Sequence, residues 1–483
     1  MSSSANVLAV DLGTSRVKVG VFDARMRTLA SAASSYATLS DASGMAEQRP
    51  SDWLQAINAA ILQVLEGGSF DIAAVVLSAQ MPTLVALDSD SEVIGNAITW
   101  QDSRADALVD SLLDSSARQL VRAIAGTPVD GRYIVPMHRR RADEAAYSPA
   151  ALLSAKDFIY FALTGELVTD PSTASGFACF DIETGTWSAR LCELWGVPER
   201  MLPAVVDSHF SAELTSAGAL LVPGVAPGTP VVVGAADSVC AHHFVDSHFA
   251  NAVSVIDGSS TVIMTRLESD ARSSDEMLVT PLVEWSQRGV EMDLLATGSS
   301  VAWLARLLEL NPAELEDLAH TNPNGAHNEV LFFPYLAGGE QGAIWRTDLS
   351  GSVDGLHLAS SRADLALALY EGIAFETLRC IEHLAQFQPV QRIVSVASAQ
   401  SRYLGASLLG ALCGVPVLAL ERQSPSLQGA AIIALECLGG ADARDMPNEP
   451  TALGELPELD DHYREFLVRK ARRYLDSAPH ASN

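Results

Sequence analysis

A short turn, Gly13, Thr14 and Ser15, returns in the second half of the 483-residue chain as Gly258, Ser259 and Ser260. In each copy an apolar run (7–10; 253–256) reaches an Asp-and-Gly turn and leaves through a second β-rich run (17–22; 261–265). This spacing implies two lobes that each contain such a hairpin. A strand, a tight polar turn and a return strand present backbone N–H groups and hydroxyls to a phosphate chain. One such turn from each lobe suits a grip on a nucleotide. Two unrelated hairpins give the same pattern, because Gly and Ser are common turn residues.

The length sets a prior of two domains of roughly 200 to 250 residues, and the expected boundary lies between 1–247 and 248–483. Hydrophobic residues make up 48% of the chain, enough for two sizeable cores. Lys and Arg number 31 against 59 Asp and Glu, a formal net charge of -28. Such a surface repels nucleic acid and anionic lipid, so neither is expected as a partner. It also repels a nucleoside triphosphate. Binding one requires a divalent cation, a local cation or backbone N–H groups. The six cysteines form no CxxC pair and sit among apolar neighbours, which reads as buried free thiols. The opening MSSSANVLAV lacks a basic start and a signal-peptide apolar stretch, and no 18 apolar residues run uninterrupted. A cytoplasmic location is expected.

Helical and strand periods alternate. Ser51 is the expected cap of a helix carrying Trp53, Leu54, Ile57, Ile61, Leu62 and Leu65 and stopped by Gly67 and Gly68; a strand follows over 72–77. Ser148 and Pro149 are expected to open a helix that runs through Lys156 and Asp157 to Gly165. Residues 231–233 read as a buried strand ending at Gly234 and Asp237. In the second half, helices are expected over Val301, Leu304, Leu307 and Leu308, from Asn311 with a capping box at Glu314, and over 364–387, 403–413, 427–438 and 460–475, with a strand at 394–396. This is an α/β pattern.

Asp11 ends a strand that opens a glycine turn, which suits a cation-binding carboxylate; satisfying the turn's own N–H groups is the alternative. Asp237 follows the apolar strand and the small run Gly234, Ala235, Ala236, where a ligand can approach the backbone closely. It is the candidate general base for a hydroxyl proton, or else a helix N-cap. His242 and His243 are adjacent and on a helix point about 100° apart, which favours one packed and one exposed ring over a metal pair. Arg139, Arg140 and Arg141 read as a solvated face. Trp100, Asp102 and Arg104 suit a hydroxyl-rich ligand, or else a core Trp beside a surface ion pair.

These pieces, in this order, resemble the FGGY family of carbohydrate kinases across nearly the whole chain. The opening VDLGTSRVKVGVFD (10–23), Glu47 to Pro50 with Trp53, Gln80 with Met81 and Pro82, Trp100 with Asp102 and Arg104, KDFIYFALTGELVTD (156–170), FPYLAGGE (333–340) and GSVDGLHLASSRADLALALYEG (351–372) carry the match. The last is the most specific. The resemblance implies a two-lobed actin-like ATPase (ribonuclease H-like) fold with a cleft between the lobes, and transfer of the ATP γ-phosphate to a hydroxyl of a small ketose or polyol, with xylulokinases as the nearest general pattern. It places the catalytic aspartate on Asp237, with Gln80, Met81, Pro82, Asp237 and Ser238 at the substrate. Gly13, Thr14, Ser15, Gly258, Ser259, Ala399, Gln400 and Gly429 fall at ATP, and Asp11 at Mg²⁺. A small sugar or polyol is the implied partner, and a homodimer is compatible with the reading.

Three departures stand out. Xylulokinases usually carry Met-His where this chain has Met81 and Pro82, which removes an imidazole. Gly234, Ala235 and Ala236 replace a glycine-rich approach, with Ser238 in place of the usual Asn. Where the family has a GGGA loop, this chain has Ala397, Ser398, Ala399 and Gln400. A Cβ forced to positive φ there costs roughly 1 to 2 kcal/mol per residue, so a sugar-binding protein of the same fold with weak or lost ATP use is the second expectation.

Overall fold

Apolar runs buried on both faces build the centre of the first sheet from its hairpin outward. In the computed structural model, which describes residues 6–142, 144, 146–268, 277–322, 325–346, 348–396, 403–420, 424–439 and 459–477, Asn6–Leu12 pairs antiparallel with Arg16–Phe22, and on its other edge parallel with Ile72–Ala79. Ile72–Ala79 in turn pairs parallel with Pro230–Ala236. Thr28–Ser35 and Ser211–Glu213 complete a 6-stranded sheet at its two edges.

The chain divides into two compact units, one of Met1–His248, Val279–Gly289 and Ser424–Glu449, the other of Phe249–Leu278, Val290–Gln423 and Pro450–Asn483. In the second unit Val253–Asp257 pairs antiparallel with Thr261–Arg266 and parallel with Ile393–Val396, which pairs parallel with Val417–Leu420. Return strand, first strand, then two parallel strands is the order in both units, so the repeat seen in the turns extends to the sheets around them.

Successive side chains point to opposite faces of a strand, and the first hairpin uses both. Leu8, Val10, Leu12, Val17, Val19 and Val21 join Trp53, Ile57, Ile61 and Val64 of the helix Pro50–Glu66 and Phe158 of the helix Ala155–Thr164 in one buried cluster. The rings of Trp53 and Phe158 meet edge-on, 6.3 Å apart. On the other face a Cβ at Gly20 would lie 2.9 Å from Leu427, on the helix Pro425–Cys437. Asp11 faces the same helix.

Several expected boundaries move. The helix expected from Ser51 starts at Pro50, with Arg49 at its N-cap, and Leu62 is exposed rather than buried. Ser148 and Pro149 open no helix, because Ala151–Leu153 pairs antiparallel with Thr83–Leu87. The helix begins at Ala155, capped by Ser154, whose Oγ accepts from Asp157 N while Asp157 accepts from Ser154 N. Leu307, expected on an apolar face, is exposed as well. The capping box of Asn311 and Glu314 is present as expected. All six cysteines are free, four of them buried. No described helix is long and apolar enough to cross a membrane.

Candidate active site

Asp11 is 2% exposed. Ser78 Oγ donates to its Oδ1 at 3.1 Å, and Ser426 Oγ to its Oδ2 at 2.7 Å. Lys18, its register partner across the hairpin, brings Nζ to 3.5 Å from Oδ2. The strand register supplies Ser78 too, since Asp11 lies opposite Ser78 in the parallel pair. The turn beyond it closes through Gly13 N donating to Arg16 O at 3.1 Å. Among the described residues the N–H groups of Thr14 and Ser15 have no hydrogen-bond acceptor, as an anion cradle requires. Trp100 Nε1 donates to Thr14 Oγ1 at 3.3 Å, which leaves that hydroxyl its own proton to donate.

Tyr36 ties the turn down from outside. Its N donates to Ser15 O at 3.2 Å and its hydroxyl to Gly13 O. Burial first, then the negative charges of Asp11 and Asp237, hold its phenol above the ordinary tyrosine range. Both carboxylates therefore act on one ring beside the turn.

Gln80, Met81 and Pro82 follow directly on the strand Ile72–Ala79, where Gln80 N donates to Leu12 O at 2.8 Å. The Met81–Pro82 bond is cis. Gly176 lies so close that a Cβ there would stand 2.9 Å from Met81 Cγ. Arg104 pairs with Asp102 at 2.5 Å and Glu47 at 2.6 Å, and Asp102 also accepts from Ala46 N at 2.9 Å. Asp102 is buried, so this pair braces the strand Ala46–Gln48 instead of lying at the surface.

Asp237 is the first residue of the helix Asp237–His248, directly after Pro230–Ala236. The strand bends before it. Gly234 has φ +68, and a Cβ there would fall 1.8 Å from Leu77 O. Ala236 N donates to Ser172 Oγ at 3.0 Å. Ser172 Oγ donates to Asp170, and Asp170 pairs at 3.0 Å with the buried Lys156. The Asp237 carboxylate is half-buried and accepts from Ser238 N at 2.9 Å, with Ser238 itself buried. His242 is buried and His243 partly exposed, as their adjacency predicts.

In the second unit Gly258 N donates to Ser260 O at 2.8 Å. Ser259 O accepts from Ser299 N and Ser299 Oγ, both at 3.0 Å. A Cβ at Gly298 would lie 2.0 Å from Gly258 O, so the helix Gly298–Leu307 can begin against this turn only with glycine there. Burial raises the Asp257 carboxyl to about 6, against a hydrogen bond from Thr261 at 2.9 Å. Ala399 and Gln400 lie outside the described residues. Gly429 packs on the helix Asp237–His248, where a Cβ would come 1.7 Å from Cys240 O.

Sequence reasoning missed Tyr36, Ser78 and Ser426. The first two carry no motif. Ser426 sits beside Pro425 in a pattern that reads as an ordinary helix start.

Among the described residues no group of three or more His, Cys, Asp or Glu side chains is placed to hold a metal ion. Mg²⁺ keeps waters and is usually bound by one or two carboxylates together with substrate phosphates. The buried Asp11 carboxylate beside unpartnered turn N–H groups fits such a requirement.

Residues 6–243 match the FGGY family of carbohydrate kinases, N-terminal domain, and residues 253–436 its C-terminal domain. A xylulose kinase of Bacillus subtilis is 27% identical over 448 residues, covering 89% of this chain and 87% of the relative. A glycerol kinase of Gloeobacter violaceus is 30% identical over 451 residues, covering 89% and 88%. In fold, the ligand-bound xylulose kinase of Lactobacillus acidophilus superposes with a TM-score of 0.86 at 22% identity, over 98% of this chain and 97% of that one. With both domains matched in order over most of its length, the chain belongs to the FGGY family of carbohydrate kinases, phosphotransferases that act on an alcohol group.

Proposed function

We propose that this enzyme transfers the γ-phosphoryl group of ATP to a hydroxyl of a small ketose or polyol. Asp237 accepts the hydroxyl proton as the acceptor oxygen bonds to phosphorus and the bond from phosphorus to the bridging oxygen of ADP breaks. Gln80, Met81, Pro82 and Ser238 line the acceptor. Gly13, Thr14 and Ser15 bind phosphate through N–H groups and hydroxyls, and Gly258 and Ser259 are assigned the same task. Asp11 holds Mg²⁺ directly or through water, and bound Mg²⁺ supplies charge neutralisation at the phosphates. The nucleotide role of Ala399, Gln400 and Gly429 belongs to the same reading.

The observation that carries it is Tyr36, which is bonded to the Gly13 carbonyl and lies within the fields of both Asp11 and Asp237. In this reading base, cation ligand and phosphate turn share one neighbourhood. Acceptor choice is the finer part. Relatives named as xylulose kinase and glycerol kinase align at similar identity, and Pro82 lacks the imidazole of the usual xylulokinase pattern.

The test is ADP release with xylulose, ribulose, erythritol, glycerol and gluconate, in the wild type and in Asp237→Ala. Acceptor-dependent release in the wild type and a loss of ~10² to 10⁴ in the variant, with an unchanged circular dichroism spectrum, is expected. Near-full turnover by the variant rejects Asp237 as the base.

A further inference from the structure

Gln48 is fully buried, and its carboxamide uses every hydrogen-bonding position it has. Its Oε1 accepts from Trp53 Nε1 at 3.0 Å and from Gln80 Nε2 at 2.9 Å; its Nε2 donates to Thr14 O and to Thr38 Oγ1, both at 2.7 Å. Two of these partners have only one role. An indole N–H can only donate, and a peptide carbonyl can only accept. Trp53 and Thr14 therefore fix which end of the Gln48 amide is oxygen.

The consequence passes to Gln80. It meets the oxygen end of Gln48, so its own NH₂ must turn inward and its Oε1 must turn away. That Oε1 is buried, on a residue 2% exposed, and has no hydrogen-bond partner among the described residues. A buried carbonyl in that state calls for a donor from outside the protein.

We propose that Gln48 is a positioning residue that locks the Gln80 carbonyl as a hydrogen-bond acceptor, so that the site selects a sugar or polyol presenting a hydroxyl donor at that point. The inference rests on the kinase reading, in which Gln80 lines the acceptor. Through Thr14 O the same amide also registers the phosphate turn. One buried side chain thus sets the polarity of the acceptor loop and the seat of the turn.

The test compares the best acceptor with its singly deoxygenated analogues. In the wild type, one analogue is expected to lose at least ~10-fold in kcat/KM. In Gln80→Met the parent acceptor falls by a similar factor, and that analogue is turned over no worse than the parent. Gln48→Glu keeps an oxygen toward Trp53 and Gln80 but sets a second oxygen against Thr14 O. It is expected to retain the discrimination while raising KM for ATP at least ~10-fold. Gln48→Met, which frees Gln80 to turn, is expected to lose the discrimination; thermal melts report whether each variant folds.

A purely structural Gln48 predicts no such separation. Discrimination surviving in Gln80→Met, or ATP and acceptor KM moving together in Gln48→Glu, overturns the proposal and leaves the kinase reading standing. If the wild type releases no ADP with any acceptor, the kinase reading fails instead. Calorimetric titration of the same acceptors and analogues into wild type and Gln80→Met then reads the selection alone, and equal affinities, or no binding, overturn it.

Discussion

Ser426 Oγ donates to Asp11 Oδ2 at 2.7 Å, joining residues 415 positions apart within one compact unit. The first turn of a late helix thus helps hold the carboxylate at the end of the first strand. Ser426→Ala removes one donor from a buried carboxylate that keeps Ser78 and Lys18, and is expected to cost about 1 to 3 kcal/mol of stability. Asp11→Asn removes the charge a cation needs and is expected to lower kcat by ~100-fold or more. Urea denaturation and ADP release on the two variants check this; a stability loss in Asp11→Asn with normal turnover would contradict the cation role.

Gly429 and Cys240 meet where two helices cross without room for a side chain, since a Cβ would stand 1.7 Å from a backbone oxygen. Gly429→Ala must push these helices apart. A loss of roughly 1 to 3 kcal/mol is expected, and turnover should fall with it, because one helix begins at Asp237 and the other carries Ser426 in its first turn. Gly405→Ala is the control. A Cβ there meets nothing within 4 Å, so a helix-propensity gain of up to about 1 kcal/mol is expected.

The contrast between these residues shows what one sequence carries. The hairpins around Gly13 and Gly258 were legible because apolar runs and turn chemistry are local, and the capping box of Asn311 and Glu314 for the same reason. Ser148 and Pro149 looked like a helix start. Only the pairing of Ala151–Leu153 with a strand far upstream moved it to Ser154. Ser426, Ser78 and Tyr36 reach Asp11 and its turn through sheet register and helix docking, which no short motif encodes. Gly429 reads as a nucleotide-side glycine only through the family resemblance, and its packing against Cys240 appears only when two distant helices touch.

Lys156 is buried between Asp157 at 3.5 Å and Asp170 at 3.0 Å, all three at most 1% exposed. Burial works to lower the lysine pKa, but the two carboxylates outweigh it and hold the ammonium above its usual range. Lys156→Met strands two buried carboxylates. A loss of about 3 to 5 kcal/mol is expected. Lys156→Met with Asp170→Asn should lose less than the sum of the single changes, since the second relieves the charge exposed by the first. Additive losses in equilibrium denaturation would show the residues to be uncoupled, and with them the path through Ser172 to Ala236.

His209 and His243 both reach Glu436, at 3.1 and 3.3 Å, and His209 also meets Asp207 at 3.0 Å. The hydrogen bond to Glu436 raises His209 to about 8 despite burial. Burial works to raise Glu436, yet its hydrogen bonds from His209 and His243 bring it to about 2. A histidine with a raised folded pKa contributes stability that is complete below its unfolded pKa near 6.5 and fades as pH climbs through about 8. A carboxylate with a lowered folded pKa contributes above its unfolded pKa near 4.5 and fades as pH falls through about 2. The contribution therefore peaks between these limits. Partial exposure of both side chains brings it to the order of 1 kcal/mol. Thermal melts of wild type and Glu436→Gln should differ most near pH 5.5 and converge by pH 9. A gap that stays constant across that range would assign Glu436 a packing role without charge.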